Sequence, residues 1–340
     1  MREPNLWKSE KDFYLNVLVN PWYKLLVKLE NLVSMETMKF YEEKGIITMH
    51  LPVTTGSISS PMGRGSDSLP VKVNLEGIDT YLADSMQFLL EYGCRLNEKG
   101  VYYVMPSFRG EKADERHLCQ FYHSEAEIPG NLEDVINLVE EYVKYLSKKI
   151  LENFKEELEK AIGDVSHIEK IANYKGNFPR ITFNQAEQAL KEKFGDNLND
   201  YIEYNDGWRN ITRKAEQELI KIYDGIVWIT NYDILAVPFY QKFDNDLAGT
   251  TKNADLLFGI GETVGCGERH QNDMDLLKSM KLHEVDKEEY EWYIKLKEKY
   301  PLQTAGFGMG IERYLMWVLK ASDIRNMQIC LRFNGKNILP

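Results

Sequence analysis

Apolar residues recur at helical intervals early in the chain: Phe13, Val17, Leu18, Trp22, Leu25, Leu26, Leu29, Leu32, Val33, Met38 and Tyr41. That period predicts a helical segment over residues 10–45, ended by Gly45. Ile46–Leu51 reads as a strand stopped by Pro52, and residues 54–70, rich in Gly, Ser, Thr and Pro, as a loop. Short strands are expected at Val71–Asn74 and Tyr81–Ala83, then a helix from Ser85 to about Leu96. Strands over Val101–Met105 and Gln120–Glu127 flank a charged loop, Glu111–Arg116. Residues 131–161 carry Leu132, Val135, Leu138, Val139, Tyr142, Val143, Leu146, Ile150 and Leu151 on one side, the mark of a long amphipathic helix.

Residues 163–222 are more polar, with helices expected near 184–194 and 211–223. Strands return at Gly225–Thr230, Pro238–Phe243 and Asp255–Thr263. Helices follow near Met274–Met280 and Lys287–Tyr300, then a glycine-alternating segment and the apolar helix Tyr314–Leu319. Short strands joined by turns and gathered away from most helices point to one α+β domain over 1–340, a mainly antiparallel sheet flanked by helices.

Composition narrows the function classes. The 340 residues are 43% hydrophobic and 28% charged, with a formal net charge of −11. That balance fits a soluble globular chain and argues against a broad phosphate-backbone-binding surface. No apolar run reaches membrane-spanning length, and the N-terminus lacks a signal-peptide pattern. Four scattered cysteines, without metal-ligand pairing, read as reduced cytoplasmic thiols.

Three segments carry candidate chemistry. Phe108-Arg109-Gly110-Glu111, with Arg116-His117 and Phe121, sets guanidinium groups for forked phosphate contacts beside an acceptor and an aromatic ring. Asp255 and Glu262 flank an apolar strand ending in glycines, a spacing compatible with one Mg²⁺ shared with nucleotide phosphates. Gly306, Gly308 and Gly310 alternate just before Arg313, leaving bare backbone for a flat ligand. A solvated charged loop, two surface acids and a helix-capping turn are the bland readings of these segments taken singly.

Taken together and in this order, they resemble the class II aminoacyl-tRNA synthetases. The Arg109 segment looks like the second family motif, Gly306–Arg313 like the third, and Ile46–Leu51 with Pro52 like the first, which lies at the dimer interface. Tyr81–Glu91, Phe178–Thr182, Pro238–Asp246, Gly259–Arg269 and Ile324–Arg332 are similar to the asparaginyl/aspartyl branch. The resemblance implies that Arg109 contacts the α-phosphate and Glu111 the adenine amino group, with Phe121 stacked on the base. Arg116, His117 and Arg313 would face the outer phosphates over Gly308 and Gly310, and Asp255 and Glu262 would hold Mg²⁺. Ser85, Gln87, Glu91 and Arg269 would bind the amino acid. Aspartyl enzymes carry Lys where this chain has Leu90, which brings it nearer the asparaginyl type. The loop Gly56–Ser68 and the pair Gly267-Glu268 depart from the family pattern.

In that branch a small-barrel anticodon-binding domain precedes the core, and here the first-motif helix begins almost at once. The expectation is therefore an adenylating core without that domain and without a tRNA partner. The resemblance implies an ATP-dependent homodimeric ligase that adenylates aspartate or a close relative. The acyl group would pass to ammonia or a small amine, releasing AMP and pyrophosphate, as in AMP-forming asparagine synthetase. Either aspartate carboxylate could be the one activated. A biosynthetic amide ligase with another amine acceptor, tRNA charging, and a non-catalytic amino-acid sensor stay open beside it.

Overall fold

The computed structural model describes all residues except 10, 60–63, 65–67, 337 and 339–340; most of the loop tip at 56–68 therefore lies outside the described residues. The chain opens with α1 (Phe13–Val19) and α2 (Pro21–Lys44). Hydrophobic period alone misses the break between them. A residue before proline is driven out of the α region. Asn20 sits at φ −83°, ψ 124°, its side chain accepts from the Trp22 N–H, and Pro21 takes a first-turn position that needs no N–H. Gly45 closes α2 at φ 72°.

Next come β1 (Ile47–Thr48), β2 (Thr54–Thr55), β3 (Val71–Leu75) and β4 (Ile78–Leu82). Helix α3 (Gln87–Gly93) leads to β5 (Val101–Phe108) and β6 (Gln120–Pro129). Helices α4 (Leu132–Ile162) and α5 (Ser166–Ala172) precede β7 (Arg180–Thr182), α6 (Phe183–Phe194), β8 (Ile202–Asn205), β9 (Trp208–Ile211) and α7 (Arg213–Ile222). The remainder is β10 (Ile226–Thr230), β11 (Asn253–Phe258), β12 (Gly261–Glu268), α8 (Asp273–Leu282), α9 (Glu291–Lys299), β13 (Thr304–Gly310) and α10 (Ile311–Val318). Capping boxes, Asn131 with Asp134 and Thr182 with Gln185, fix the starts of α4 and α6.

Eight strands form the central sheet in the order β1-β5-β6-β13-β12-β11-β10-β7. Its inner neighbours run antiparallel; the outermost pairs, β1–β5 and β7–β10, are parallel. The mixed, mainly antiparallel sheet with flanking helices matches the expected class. Several local readings change. Residues 46–51 yield only the two-residue β1. Pro238–Phe243 is no strand; its Gln241 and Phe243 make isolated bridges to Arg269 and Thr251. Residues 255–263 are not one strand but parts of β11 and β12 joined by a turn. The glycine segment, to which the sequence pattern assigns no element, is an inner strand, β13, and not the helix-capping turn of its bland reading.

Helices α2, α4 and α10 cover one face of the sheet. Leu26, Leu29 and Val33 pack there with Val139, Tyr142, Val143, Leu146 and Leu315, against Ala126, Ala305, Phe307 and Met309 of the strands. Side chains alternate across a strand. The partners of those apolar residues, including every other residue of β6 and β13, therefore face the opposite side. Two smaller cores, around Phe183–Leu219 and around Phe88–Tyr293, wall that side. Among the described residues no helix is long and apolar enough to cross a membrane.

Candidate active site

The open face of the sheet carries a floor without side chains. On β13, Gly306, Gly308 and Gly310 alternate with Phe307 and Met309, which point into the core. On β12, Gly265 pairs with Gly308 and Gly267 with Gly306. Bare backbone of two adjacent strands thus lies beneath a cleft of about 410 Å³. The next strand, β6, sets Phe121, His123, Glu125 and Glu127 along the same side, all lining the cleft. The glycines are required by these neighbours. A Cβ on Gly306 would stand 1.7 Å from Glu127 Oε2, and one on Gly267 would stand 1.9 Å from Gln241 Oε1.

One end of the cleft gathers guanidinium groups, a carboxylate and an aromatic ring. Arg109, Glu111, Arg116, His117, Phe121 and Arg313 all line it. Arg109 lies over the Phe121 ring, 5.5 Å from its centroid. Arg109 Nε, Glu111 Oε1 and Arg116 Nε are buried without a hydrogen-bond partner among the described residues. Buried polar atoms are nearly always paired, so such a cluster is what a polar ligand would complete. Arg313 donates from Nη1 to the Glu262 carbonyl at 2.7 Å, and burial lowers its pKa. Arg116 is ion-paired with Glu216 at 2.5 Å, and His117 Nδ1 lies 3.0 Å from Asp114. The Glu216 contribution comes from α7, inside the polar 163–222 segment, a hundred residues away in sequence. Gly261, at φ 137°, gives that pair its room: a Cβ there would meet Glu216 Oε2 at 2.2 Å.

Asp255 and Glu262 converge over Gly265, where a Cβ would stand 3.0 Å from Glu262 Oε1 and 3.5 Å from Asp255 Oδ1. Burial, then the charge of Glu262, pushes the Asp255 carboxyl well above its ordinary range. Two converging hard-oxygen donors relieve that repulsion by sharing a cation. No group of three or more His, Cys, Asp or Glu suited to a metal occurs among the described residues. A pair of carboxylates fits an ion such as Mg²⁺, which completes its shell with water and phosphate oxygens.

The other end is closed and charge-paired. Arg269 reaches Glu127 from Nε at 3.2 Å and from Nη2 at 3.1 Å, and Gln241 Oε1 from Nη1 at 3.1 Å. Tyr240 stacks below its guanidinium at 5.4 Å. Burial, opposed by Arg269 and reinforced to a lesser degree by Glu91, moves the Glu127 carboxyl up to about 7. Ser85 Oγ donates to Glu125 Oε2 at 2.6 Å and accepts from the Gln87 N–H at 3.1 Å. Ser85 and Gln87 line the cleft. Glu91 does not: it is fully buried behind the wall, bonded to Lys297 and to the Tyr293 hydroxyl at 2.7 Å. Glu268 also turns away, to Lys242 at 2.5 Å, so its departure from the family pattern does not face the cleft.

Sequence reasoning did not single out Glu125, Glu127, His123, Gln241 or Glu216. For the β6 residues a signal was present, since His123, Glu125 and Glu127 at alternate positions mark one face of a strand.

Comparison with known proteins accords with this geometry. The family profile for tRNA synthetases class II (D, K and N) matches residues 8–330. The asparaginyl-tRNA synthetase from Pyrococcus horikoshii, complexed with asparaginyl-adenylate, superposes with a TM-score of 0.85 at 25% identity, over 94% of this chain and 71% of that one. The asparaginyl-tRNA synthetase of Entamoeba histolytica, also with asparaginyl-adenylate, gives 0.78 at 21%, over 92% and 68%. The aspartyl tRNA synthetase of the same organism gives 0.75 at 19%, over 96% and 62%. The last two bear on the fold alone.

Proposed function

The chain belongs to the class II tRNA synthetase family (D, K and N), and from that premise we propose that it adenylates aspartate or a close relative and passes the acyl group to ammonia or a small amine. The observation that carries this reading is the continuity of the cleft. Orphaned Arg109, Glu111 and Arg116 atoms stand at one end, the Arg269–Glu127 pair at the other, and a glycine floor joins them. ATP would lie with its base against Phe121 and Glu111, and its phosphates between Arg109 and Arg313. Those cations face the charge that develops as the amino-acid carboxylate displaces pyrophosphate. Mg²⁺, held by Asp255 and Glu262, would supply further neutralisation of the phosphates when bound. Ser85 with Gln87 would take the α-amino end and Arg269 the side-chain oxygen.

The net charge of −11 favours a small acceptor over a polyanionic one. A homodimer is part of the same reading, supported by the exposed Val27, Met35 and Met38 on α2 and Ile47 on β1, and a cytoplasmic location is proposed with it. Family membership itself supports a second reading, aminoacylation of tRNA.

The test is an amino-acid screen for ATP-dependent AMP formation, with and without ammonium, and mass spectrometry of the products. Free asparagine made from aspartate and ammonium is the expected result. No pyrophosphate release with any amino acid rejects adenylation; an acyl-adenylate that only tRNA discharges selects the second reading. Arg109→Ala and Arg313→Ala should each lower AMP formation roughly 100-fold or more, the scale of removing one preorganised donor to a transition-state anion.

A further inference from the structure

Between Phe121 and Glu127 on the cleft side of β6 stands His123, a residue that neither the three motifs nor the scheme above uses. Its Nδ1 lies 2.9 Å from Glu125 Oε1 and 2.9 Å from Ser107 Oγ on β5. An ionised carboxylate only accepts hydrogen bonds, so Nδ1 carries a hydrogen, and in the neutral ring Nε2 keeps its lone pair. Nε2 has no partner among the described residues, and the side chain is 14% exposed in the wall of the cleft. Glu125 is fixed in turn by Ser85 Oγ at 2.6 Å. Burial alone would raise the Glu125 carboxyl, but hydrogen bonds from His123, Ser85 and Tyr103 outweigh it and hold it below its ordinary range.

Position makes this dyad chemically useful. The His123 ring stands edge-on to Phe121, 4.7 Å between centroids, on the nucleotide side. Glu125, bonded to Ser85, lies on the amino-acid side. Directly opposite on β13 is Gly310, which offers no side chain to cover the ring. The imidazole therefore borders the junction of the two subsites, where an acyl–phosphate bond would be made and broken.

We infer that the His123–Glu125 dyad is the base that deprotonates the incoming amine during acyl transfer. This rests on the adenylation reading above. Nε2 takes one proton from ammonium, and the freed nitrogen lone pair attacks the acyl carbon. The new C–N bond forms, the acyl C–O bond to phosphate breaks, and its electron pair leaves on AMP. A second proton passes from the nitrogen to the departing phosphate. The products are the amide, AMP and a protonated His123, which returns its proton to solvent. Glu125 orients the ring and stabilises the imidazolium.

The experiment compares nucleophiles in His123→Gln. Ammonium must lose a proton to attack; hydroxylamine, mostly neutral at neutral pH, need not. Three rates are measured on the native protein and the variant: amino-acid-dependent ATP–pyrophosphate exchange, amide formation with ammonium, and hydroxamate formation with hydroxylamine. Amide formation should fall roughly 100- to 10,000-fold while hydroxamate formation falls less than about tenfold, the range expected for loss of a positioned base. Glu125→Gln should show the same discrimination to a smaller degree. An equal fall with both nucleophiles, or amide formation near the native rate, overturns the dyad and leaves adenylation standing. No exchange in the native protein overturns adenylation and the dyad together.

Discussion

Glu127 is under opposing pressures. Burial and Glu91 favour its acid form, Arg269 favours its carboxylate, and the balance lies at about 7. Below that value the carboxyl is mostly protonated, and Arg269 has its charge to offer an aspartate side chain. Above it, ionised Glu127 claims Arg269 and repels a second carboxylate. The apparent KM for aspartate should therefore rise between about pH 6 and pH 8, approaching tenfold per unit on the alkaline side. Asparagine, whose amide can donate to a carboxylate, should show no such rise. Glu127→Gln should flatten the aspartate profile and lower its KM at the alkaline end. Pyrophosphate release measured across that range checks this, and an aspartate KM equally flat in both proteins rejects it.

Strand β13 shows what a local reading of sequence can and cannot reach. Alternating glycines before Arg313 were legible as a surface for a ligand. Their place as an inner strand was not, because glycine is depleted in strands and suggests turns. What overrides that preference is the pairing on both sides, with Gly265 and Gly267 on β12 and with Glu125 and Glu127 on β6. The hairpin of β11 and β12 was hidden for the opposite reason: Gly259 and Gly261 read as part of one apolar strand, yet there the chain turns back. The glycines of β13 should also be separable by experiment. A methyl on Gly306 collides with Glu127, so Gly306→Ala should cost about 1–3 kcal/mol of stability as an overpacked site and weaken amino-acid binding. A methyl on Gly308 meets only ordinary contacts, 3.4 Å from Glu125, so Gly308→Ala should fold within about 1 kcal/mol of native while obstructing the floor. Denaturant unfolding together with pyrophosphate release distinguishes the two; equal stabilities would refute the close approach at Gly306.

Across the whole molecule, the cleft depends on elements that no motif search joins. The three motif segments were readable because each groups its chemistry within a few residues. Glu216 was not, because only the fold brings α7 to Arg116. The Lys297–Glu91 pair is the extreme case: 206 residues apart, both side chains fully buried, with Tyr293 completing the carboxylate. Helix α9 is thereby pinned to α3, and Gln87, 3.4 Å from Glu91 through its Nε2, stands on the cleft side of that pin. A buried pair of this kind is expensive to break by halves, because the remaining charge has no solvent to turn to. Lys297→Met should thus destabilise the protein by about 3–5 kcal/mol, and adding Glu91→Leu should recover most of that loss, since no charge is then stranded. Lys297→Arg keeps the charge and should fall between. Denaturant midpoints at constant slope read the effect directly. A loss under about 1 kcal/mol in Lys297→Met, or a double variant no more stable than the single, would mean that α9 is held to the amino-acid end of the cleft by its aromatic packing alone, Tyr290 and Tyr293 against Phe88, and not by the pair.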